Sequence, residues 1–459
     1  MAMLPDLLSA PVAGPADAWR LLDCLAHGPT PTPAAREARP QHAVAALLDG
    51  LGNPHRRLCA IHIAGSKGKG STALLTEAIL EAAGLKTGTF TSPHLVRWTE
   101  RIRVGGAEIE AQALAAALET LRPVLRGYCA RHPDHPPTFF DVLTAVAFYL
   151  FERAALDVVV IEAGLGGRLD STNVVVPRVA CITRIELEHT DRLGATLAQI
   201  AAHKAGVIKA GVPAVIGMLP EPAHRCVIER CVSVGASAWV EGREFSVVVG
   251  DLADAALALD LHLPGMRFPA VLPALGAHLG HCAAIALACV ARSGLVAAGQ
   301  LAGAASAGFA SVRLPGRTEI VGRAPWRVVD GAHTLASAHA LRAALARLPH
   351  AGLHWLLSIS SGKDLDGLLR VLLQGAGSVT LTRADPVRSI PPEQLAARVV
   401  RLFPAMPAFC FDRCAPAVEH VRQRADPRAL ICCAGSVYMA GAARALLGGD
   451  EAGGACGRA

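Results

Sequence analysis

The stretch Ile61–Thr72 reads I-H-I-A-G-S-K-G-K-G-S-T, and the rest of the chain is organised around it. An apolar, β-branched run ends at Gly65, further glycines stand at Gly68 and Gly70, and a helical pattern of apolar residues follows. Glycines let backbone N–H groups close around an anion, and a following helix adds its positive N-terminal end. This order of strand, glycine turn and helix predicts a phosphate-binding loop.

Side chains within this stretch also suit phosphate chemistry. Lys69 can reach the outer phosphates as a point charge, and Ser71 can place a hydroxyl on Mg²⁺. The spacing differs from the common G-x-x-x-x-G-K-[ST] form, because residue 63 is Ile and Gly70 lies between Lys69 and Ser71. The alternative is a glycine-rich turn without a ligand, and the Lys, Ser and Thr make it the weaker interpretation.

Composition excludes several classes of protein. The chain has 459 residues and is 52% hydrophobic, which predicts two or three domains with large cores. Its formal net charge of +6 is mild, and no basic block with interleaved aromatics indicates nucleic-acid binding. The 13 cysteines are scattered without a C-x-x-C pair, as in a reducing cytoplasm. Because neither a leader nor a bilayer-length apolar run is present, we expect a cytoplasmic protein without a membrane partner.

The order of elements predicts an α/β fold. Apolar strands alternate with helical patterns up to about residue 208, which is typical of a mostly parallel sheet covered by helices. Residues 213–275 break into shorter segments that we expect to form an antiparallel addition to the first domain. After a linker at Ser311–Pro315 the alternation resumes. The predicted parts are a phosphate-loop domain over 1–310, which the resemblance described below implies to be ATP-binding, a smaller Rossmann-like domain over 311–448 and a disordered tail over 449–459.

Three local features complete this outline. The polar, Pro-rich stretch Gly28–Pro40 predicts a loop, and a helix is expected near Ala111–Arg122. Residues 157–163 read D-V-V-V-I-E-A, a run typical of a strand buried on both faces, with Glu162 inside it. The carboxyl ends of such strands are where open α/β sheets bind ligands. Since burying a lone carboxylate is costly, we expect Glu162 to face a metal ion or a cationic group.

Ordered blocks of residues from about Leu47 to Ala442 resemble the folylpolyglutamate synthase/dihydrofolate synthase family of the Mur ligase superfamily. The most specific blocks are S-P-H-L with E-R-I (92–102), G-L-G-G-R-L-D-S-T-N (164–173), H-T to K-A-G-V-I-K (189–209), L-P-G-R (314–317), D-G-A-H (330–333) and K-D with Asp366 (363–366). The resemblance implies a Mur-ligase-like P-loop domain and a glutamate-ligase domain. It also implies an acyl phosphate made from ATP, which the amine of L-glutamate then attacks.

The resemblance assigns nucleotide and metal contacts to numbered residues. The residues that would hold the nucleotide are Gly68, Lys69, Gly70, Ser71, Thr72, Arg317 and Asp330. Ser71 and Glu162 would hold one Mg²⁺, and His189 a second. The catalytic residues would be Lys69, Lys204 and His333, with Lys204 carbamylated so that it presents a carboxylate to the metal.

The same resemblance assigns the substrate contacts. The residues that would line the pterin-bearing substrate are Thr138, Phe139, Phe140, Asp141, Leu169, Asp170 and Ser171. Ser436, together with His333, would lie near the glutamate and the acyl phosphate. The expected partners are therefore small molecules only, namely dihydropteroate or folate, L-glutamate and ATP, and the chain is expected to be a monomer.

The sequence departs from the family's pattern at several positions. They are Ser66 for Thr, Lys67 for Asn, Asp141 for Glu, Glu188 for Asp, His203 for Glu, Cys282 for the Asn that would read the adenine edge, and Thr334 for Asn. Three interpretations stay open. The first is a folate-type glutamate ligase that makes dihydrofolate, polyglutamates or both. The second is the same chemistry on another acid or amine in a specialised pathway, and the third is a non-catalytic nucleotide-binding relative.

Overall fold

The computed structural model describes residues 4–28 and 41–448, and the chain divides into two compact units. The first unit comprises Met1–Val248, Asp260–Ala270 and His281–Val312, and the second comprises Val249–Leu259, Val271–Gly280 and Arg313–Ala459. Two segments expected in the first domain, 249–259 and 271–280, thus cluster with the second unit. The tail at 449–459 and all of the expected loop except Gly28 lie outside the described residues.

The first unit is built on an eight-stranded sheet with the strand order β4-β3-β2-β5-β1-β6-β7-β8. The strands are β1 (Ala60–Ala64), β2 (Thr87–Phe90), β3 (Ile102–Val104), β4 (Ala107–Glu108), β5 (Val158–Glu162), β6 (Val179–Ile182), β7 (Ala214–Ile216) and β8 (Ala238–Val240). All neighbours from β2 to β8 pair in parallel, and β3 and β4 add an antiparallel edge. Ile63 of β1 is in register with both Glu162 of β5 and Cys181 of β6, so these three strands end together.

Helices flank this sheet along the chain. They are α1 (Leu4–Ser9), α2 (Pro15–Ala26), α3 (His42–Gly50), α4 (Lys69–Ala82), α5 (Ala111–Arg131), α6 (Phe139–Arg153), α7 (Thr190–Leu193), α8 (Leu197–Ala205), α9 (Glu221–Ser233), α10 (Ala277–Ser293) and α11 (Ala298–Ser311). The strands β1 and β5 are buried along their whole length, as expected for a sheet covered on both faces. None of the helices in the described ranges is both long and apolar enough to cross a membrane.

One expectation for this part of the chain is wrong, namely that all of 213–275 forms an antiparallel addition. Residues 213–240 extend the parallel sheet through β7, α9 and β8, and only 246–272 form a separate sheet, with the order β11-β10-β9. Its strands are β9 (Ser246–Ala253), β10 (Ala256–Leu263) and β11 (Met266–Leu272). The strands β7 and β8 have three residues each, which is too short for a hydrophobic period to identify them.

The helix expected near Ala111–Arg122 continues to Arg131 with Pro123 inside it. Its apolar side stays buried on both sides of the proline, at Leu114, Leu118, Leu121, Leu125 and Tyr128. Packing of this face therefore outweighs the backbone hydrogen bond that proline removes. The linker expected at Ser311–Pro315 begins one residue later than expected, because Ser311 is the last residue of α11.

The second unit contains a six-stranded sheet with the order β12-β13-β17-β14-β15-β16. Its strands are β12 (Glu319–Arg323), β13 (Trp326–Val329), β14 (Leu353–Leu357), β15 (Ser378–Thr382), β16 (Ala408–Phe411) and β17 (Leu430–Ala434). Only β12 pairs antiparallel. The helices are α12 (Leu335–Leu345), α13 (Leu365–Leu373), α14 (Pro392–Leu402), α15 (Cys414–Arg424) and α16 (Val437–Gly448).

Two glycines of α11 test how closely it packs on α4, the helix that follows the phosphate loop. A Cβ added at Gly308 would lie 2.6 Å from the carbonyl oxygen of Ala78, whereas one at Gly303 would meet nothing within 4 Å. We expect Gly308→Ala to lower the free energy of unfolding by about 1–3 kcal/mol through overpacking. Gly303→Ala should raise it by about 0.5–1 kcal/mol, since alanine favours the helix. Urea unfolding measures both, and equal effects would contradict the close approach.

Candidate active site

The phosphate-loop stretch adopts the predicted strand, turn and helix. The strand β1 ends at Ala64, Gly68 precedes α4 with a φ of 84°, and α4 begins at Lys69. A Cβ at Gly65 would overlap the hydroxyl of Thr183 in the neighbouring strand end, so only glycine fits there. The Oγ1 atom of Thr72 is buried and has no hydrogen-bond partner. The loop therefore presents a helix N-terminus and an unsatisfied hydroxyl, as an anion-binding turn requires.

A carboxylate lies beside this loop at the end of β5. Glu162 is only 3% exposed and accepts a hydrogen bond from the backbone N–H of Ser92 at 2.8 Å. Its other oxygen is 3.9 Å from the Nζ of Lys69. A Cβ at Gly70 would lie 3.2 Å from Glu162, so glycine there lets the loop approach the acid. We expected Glu162 to face a metal ion or a cationic group, and the loop's own Lys69 is such a cationic group.

Lys204 lies behind the loop, on α8. It is 1% exposed, and its Nζ donates to the carbonyl oxygen of Gly65 at 2.8 Å and lies 3.2 Å from Glu188. Burial first, and then the charge of Lys69, lowers the pKa of Lys204 to about 8, and Glu188 opposes this shift. The lower pKa increases the neutral fraction of this amine near neutral pH.

Glu188 bridges two lysines. One oxygen faces Lys204 and the other lies 3.5 Å from the Nζ of Lys67. Burial alone would raise the pKa of Glu188, but the positive charges of Lys69, Lys204 and Lys67 together lower it. Burial also lowers the pKa of Lys67, against the opposite effect of Glu188. Two departures from the family's pattern, Lys67 and Glu188, are therefore partners of each other.

A third departure, Ser66, fastens the loop to the same segment after β6. Its backbone N–H donates to the carbonyl of Arg184 at 2.5 Å. Its hydroxyl donates to the carbonyl of Glu186 at 3.2 Å and accepts from the N–H of Glu186 at 3.0 Å. Ser66 and Lys67 thus join the phosphate loop to residues 184–188 by side-chain contacts.

Oxygen donors suited to one Mg²⁺ ion are present beside the loop, whereas the histidine expected to bind a second ion is exposed. The buried Glu162 carboxylate and the Ser71 hydroxyl have the chemistry that Mg²⁺ prefers. His189 is exposed and stands at the start of α7 with a φ of 49°. No group of three or more His, Cys, Asp or Glu side chains is placed to hold a metal within residues 4–28 and 41–448.

The expected substrate residues form two connected turns. Thr138 caps α6 through a reciprocal pair of hydrogen bonds with Asp141, and Asp141 accepts from the hydroxyl of Ser171 at 2.7 Å. Asp170 is buried and accepts from the N–H of Leu165 at 2.8 Å, while Leu169 is half-buried beside it. The structure therefore brings the 138–141 and 169–171 segments together. Asp141 completes this helix cap, which explains why an aspartate is tolerated at this position.

Aromatic rings extend from these turns towards the hairpin of β2 and β3. Phe140 lies 5.6 Å from Phe90, and Phe139 lies 5.7 Å from Trp98, between ring centroids. Trp98 also meets His94 edge-on at 4.5 Å. Trp98 and Arg101 are not among the site residues predicted from the sequence. Their position in the 92–102 block could have indicated them, because this block follows β2, and β2 pairs with the strand β5 that ends at Glu162.

The second unit places its assigned residues at the carboxyl edge of β13 and β17. Asp330 is buried and accepts from the N–H of Thr318 and from that of Ala332, both at 2.7 Å. Burial raises the pKa of Asp330, and these bonds oppose the rise. Arg317 donates to the carbonyl of Gly316 at 3.0 Å.

The backbone N–H of Asp330 donates to Cys433 of β17 at 2.9 Å, and Ser436 follows that strand. The Ser436 hydroxyl accepts from the N–H of Met439 at 3.0 Å, at the start of α16. The His333 ring lies 2.8 Å from the carbonyl oxygen of Gly331. Asp330, His333 and Ser436 therefore belong to neighbouring turns at one sheet edge.

Two further departures have local explanations. Thr334 is the N-cap of α12, where its hydroxyl accepts from the N–H of Ser337, a role that asparagine also fills well. Cys282 lies against the phosphate loop, with its Sγ 3.9 Å from the carbonyl oxygen of Gly68. A thiol is a weaker hydrogen-bonding group than an amide, so this contact with the loop is weaker than one that asparagine makes.

The sequence of this chain is similar to a known family and to known proteins. Residues 316–437 match the family described as Mur ligase, glutamate ligase domain. The chain is 37% identical to the dihydrofolate synthase/folylpolyglutamate synthase of Mycobacterium tuberculosis over 436 residues, 89% of this chain and 90% of that protein. It is also 37% identical to the Escherichia coli protein of the same description, over 67% of this chain and 68% of the relative.

Solved structures of proteins with related descriptions are also similar to this chain. Mycobacterium tuberculosis folylpolyglutamate synthase complexed with ADP superposes with a TM-score of 0.87 at 34% identity, over 95% of this chain and 99% of that one. Escherichia coli FolC in complex with DHPP and ADP gives 0.79 at 31% identity, over 95% and 97%. Both cover nearly the whole chain, so the fold as a whole is shared.

A buried histidine supports the turn that carries Asp170. His62 is fully buried in β1, its Nε2 lies 2.8 Å from Thr172, and Thr172 donates to Asp170 at 2.6 Å. Burial first, and then the charge of Lys209, lowers the pKa of His62 to about 3.

The unfolded chain therefore binds this proton near the ordinary pKa of 6.5, before the folded chain does, and stability falls as pH drops from about 6.5 towards 3. We expect His62→Gln, which does not titrate, to reduce the loss of unfolding free energy between pH 7 and pH 5 by about 2 kcal/mol. Urea unfolding at both pH values measures it. The same loss in both proteins would show that His62 does not couple folding to protons.

Proposed function

The chain belongs to the dihydrofolate synthase/folylpolyglutamate synthase family of ATP-dependent ligases, and we propose that it joins L-glutamate to a pterin-bearing carboxylate. The single observation that carries the proposal is the charge arrangement around the phosphate loop. Lys69 and Lys204 both donate to the carbonyl oxygen of Gly65, and each faces its own buried or half-buried carboxylate, Glu162 or Glu188. A protein that only binds nucleotide has no need of a second buried lysine.

The reaction divides into two transfers. A carboxylate oxygen of the acid bonds to the γ-phosphorus of ATP while the bond from that phosphorus to the bridging oxygen breaks, which yields an acyl phosphate and ADP. The nitrogen of glutamate then bonds to the acyl carbon, loses a proton, and phosphate leaves. Lys69 and the N-terminus of α4 offset the phosphate charge, so positioning and electrostatics do most of the work.

We assign one Mg²⁺ to Ser71 and Glu162, whose oxygen donors fit it. Mg²⁺ bound there would neutralise charge on the transferring phosphoryl group, with remaining ligands from the phosphates and water. A second Mg²⁺ near His189 and a carbamylated Lys204 stays part of the proposal. Its support is the buried Lys204 amine with a lowered pKa, because only the neutral amine adds to CO₂.

The remaining assignments keep the two units separate. Thr138–Asp141, together with 169–171, would line the pterin-bearing substrate, supported by the aromatic rings beside them. In the second unit, Arg317 and Asp330 are proposed for the nucleotide, and His333 and Ser436 for the glutamate and acyl phosphate. Their support is a common sheet edge, where α/β folds bind ligands.

An ADP-release assay tests the function. We expect ADP only when MgATP, dihydropteroate and L-glutamate are all present, and mass spectrometry of a parallel reaction with tetrahydrofolate separates the two family activities. Lys69→Met should lower kcat at least about 100-fold, because the cation on the phosphates is lost. Lys86→Met, at an exposed lysine, is the matched control. Absence of substrate-dependent ADP with both pterin acids would contradict the proposal.

Lys204→Ala tests the carbamate. We expect loss of most activity and partial recovery with short carboxylates such as acetate, which fit the space that the side chain leaves. Carbon-13 NMR with labelled bicarbonate should show a carbamate signal in the unchanged protein and in Lys86→Ala, but not in Lys204→Ala. Full activity of Lys204→Ala, or the same signal in all three proteins, would refute the assignment.

A further inference from the structure

Arg101 is a buried arginine whose nearest charges include the proposed metal ligand Glu162, yet it forms no ion pair with an acid in the part of the chain that the structure describes. Arg101 ends the short 3₁₀ turn Trp98–Arg101, directly before β3, and its carbonyl accepts from the N–H of Thr91 at 2.9 Å. It is only 6% exposed. Its Nε donates to the Nδ1 of His94 at 2.9 Å, and no carboxylate within residues 4–28 and 41–448 forms an ion pair with it.

The nearest acids are engaged elsewhere. Glu100 accepts from the backbone N–H groups of Leu95, Val96 and Arg97, at 2.7 to 3.0 Å. Glu162 acts on Arg101 through its charge but accepts from Ser92 and faces Lys69. Buried charges are costly, and the charges of Glu162 and Glu100 offset this cost without a direct ion pair, so an anion bound at the guanidinium would stabilise it further.

The surroundings of Arg101 restrict the shape of that anion. The guanidinium lies 5.1 Å from the centroid of the Trp98 ring and 5.5 Å from that of Phe139. These rings offer flat apolar contact directly beside the positive charge. A carboxylate attached to a planar ring combines both requirements, whereas a bare phosphate uses only the charge.

We propose that Arg101 receives the reacting carboxylate of the acid substrate, with Trp98 and Phe139 against the ring that carries it. The identity of the acid rests on the proposed function above. Arg101 holds the carboxylate next to Glu162 and thus beside the end of the phosphate loop. One carboxylate oxygen forms the bond to the γ-phosphorus and the other keeps its contact with Arg101, which neither gains nor loses a proton.

A comparison of an acid with its neutral amide isolates this contact. Equilibrium binding of dihydropteroate and of its carboxamide is measured by calorimetry in the presence of ADP. The unchanged protein should bind the acid at least about tenfold more tightly than the carboxamide, the usual size of a charged, two-point contact. Arg101→Met should bind both about equally. Arg101→Lys should lie between them, because lysine keeps the charge but not the fork.

Controls separate the contact from folding and from phosphate binding. Arg97→Met, at an exposed arginine of the same loop, should keep the preference for the acid. The affinity for ADP should be unchanged in Arg101→Met. If Arg101→Met does not fold, as judged by thermal unfolding, Arg101→Lys decides. An undiminished preference in the folded Arg101 variant, or a selective loss of ADP affinity, would overturn the inference.

The same design distinguishes this inference from the proposed function. If no pterin acid supports ADP release, the proposed function fails, and benzoate and benzamide then replace the dihydropteroate pair as probes. An Arg101-dependent preference for benzoate would uphold the anion site, and its absence would overturn it. ADP release with a pterin acid, together with an unchanged preference in Arg101→Met, would overturn the anion site alone.

Discussion

Two ammonium groups share one carbonyl oxygen, and the arrangement of the site depends on this contact. Lys69 and Lys204 donate to Gly65 at 3.0 Å and 2.8 Å. Like charges this close repel each other, and the repulsion is offset because each lysine also has a carboxylate on its outer side. The two adjacent lysines are therefore flanked by a carboxylate on each side, Glu162 and Glu188, and Glu188 also faces Lys67. Phosphates bound at the start of α4 would add negative charge beside Lys69.

This arrangement of charges is possible because three parallel strands end at one level. β5 supplies Glu162, Gly65 directly follows β1, and the segment after β6 supplies Glu188. Lys204 comes from α8, which is held close by the glycines of the 164–167 turn. A Cβ at Gly167 would lie 2.6 Å from the carbonyl oxygen of Lys204. The glycines in that turn are thus required by packing as well as by conformation, since they let a helix that carries a buried lysine approach the sheet edge.

The parts of the site that could be predicted from the sequence are those set by neighbours along the chain. The glycine turn after β1, and Glu162 at the end of an apolar strand, follow from local pattern and from the general rule for parallel sheets. Arg101 could not be identified as buried, because its burial depends on how β3 folds back on β2 and brings Trp98 against Phe139. The partnership of Lys67 with Glu188 joins positions more than a hundred residues apart, and neither residue type alone indicates it.

The same distinction holds for the fold. Long strands and helices with a clear period were predictable. The three-residue strands β7 and β8 are too short to show a hydrophobic period. The continuation of α5 past Pro123 depends on the packing of its buried face against neighbouring elements, which the local sequence does not show. Assignment of 249–259 and 271–280 to the second unit depends on contacts between distant segments, for which local hydrophobicity contains no information.

Five of the departures from the family's pattern fall into two physical groups. Asp141 and Thr334 keep a helix cap by another side chain, so the backbone around them needs no change. Ser66, Lys67 and Glu188 act together, because the hydroxyl and the added ammonium both attach the phosphate loop to the segment that carries the lengthened acid. A single charge added at Lys67 would disturb the neighbouring lysines, and Glu188 reaches far enough to face both Lys67 and Lys204. The three substitutions together add one positive charge, and Glu188 faces it, so that Lys67 has a carboxylate partner beside the loop.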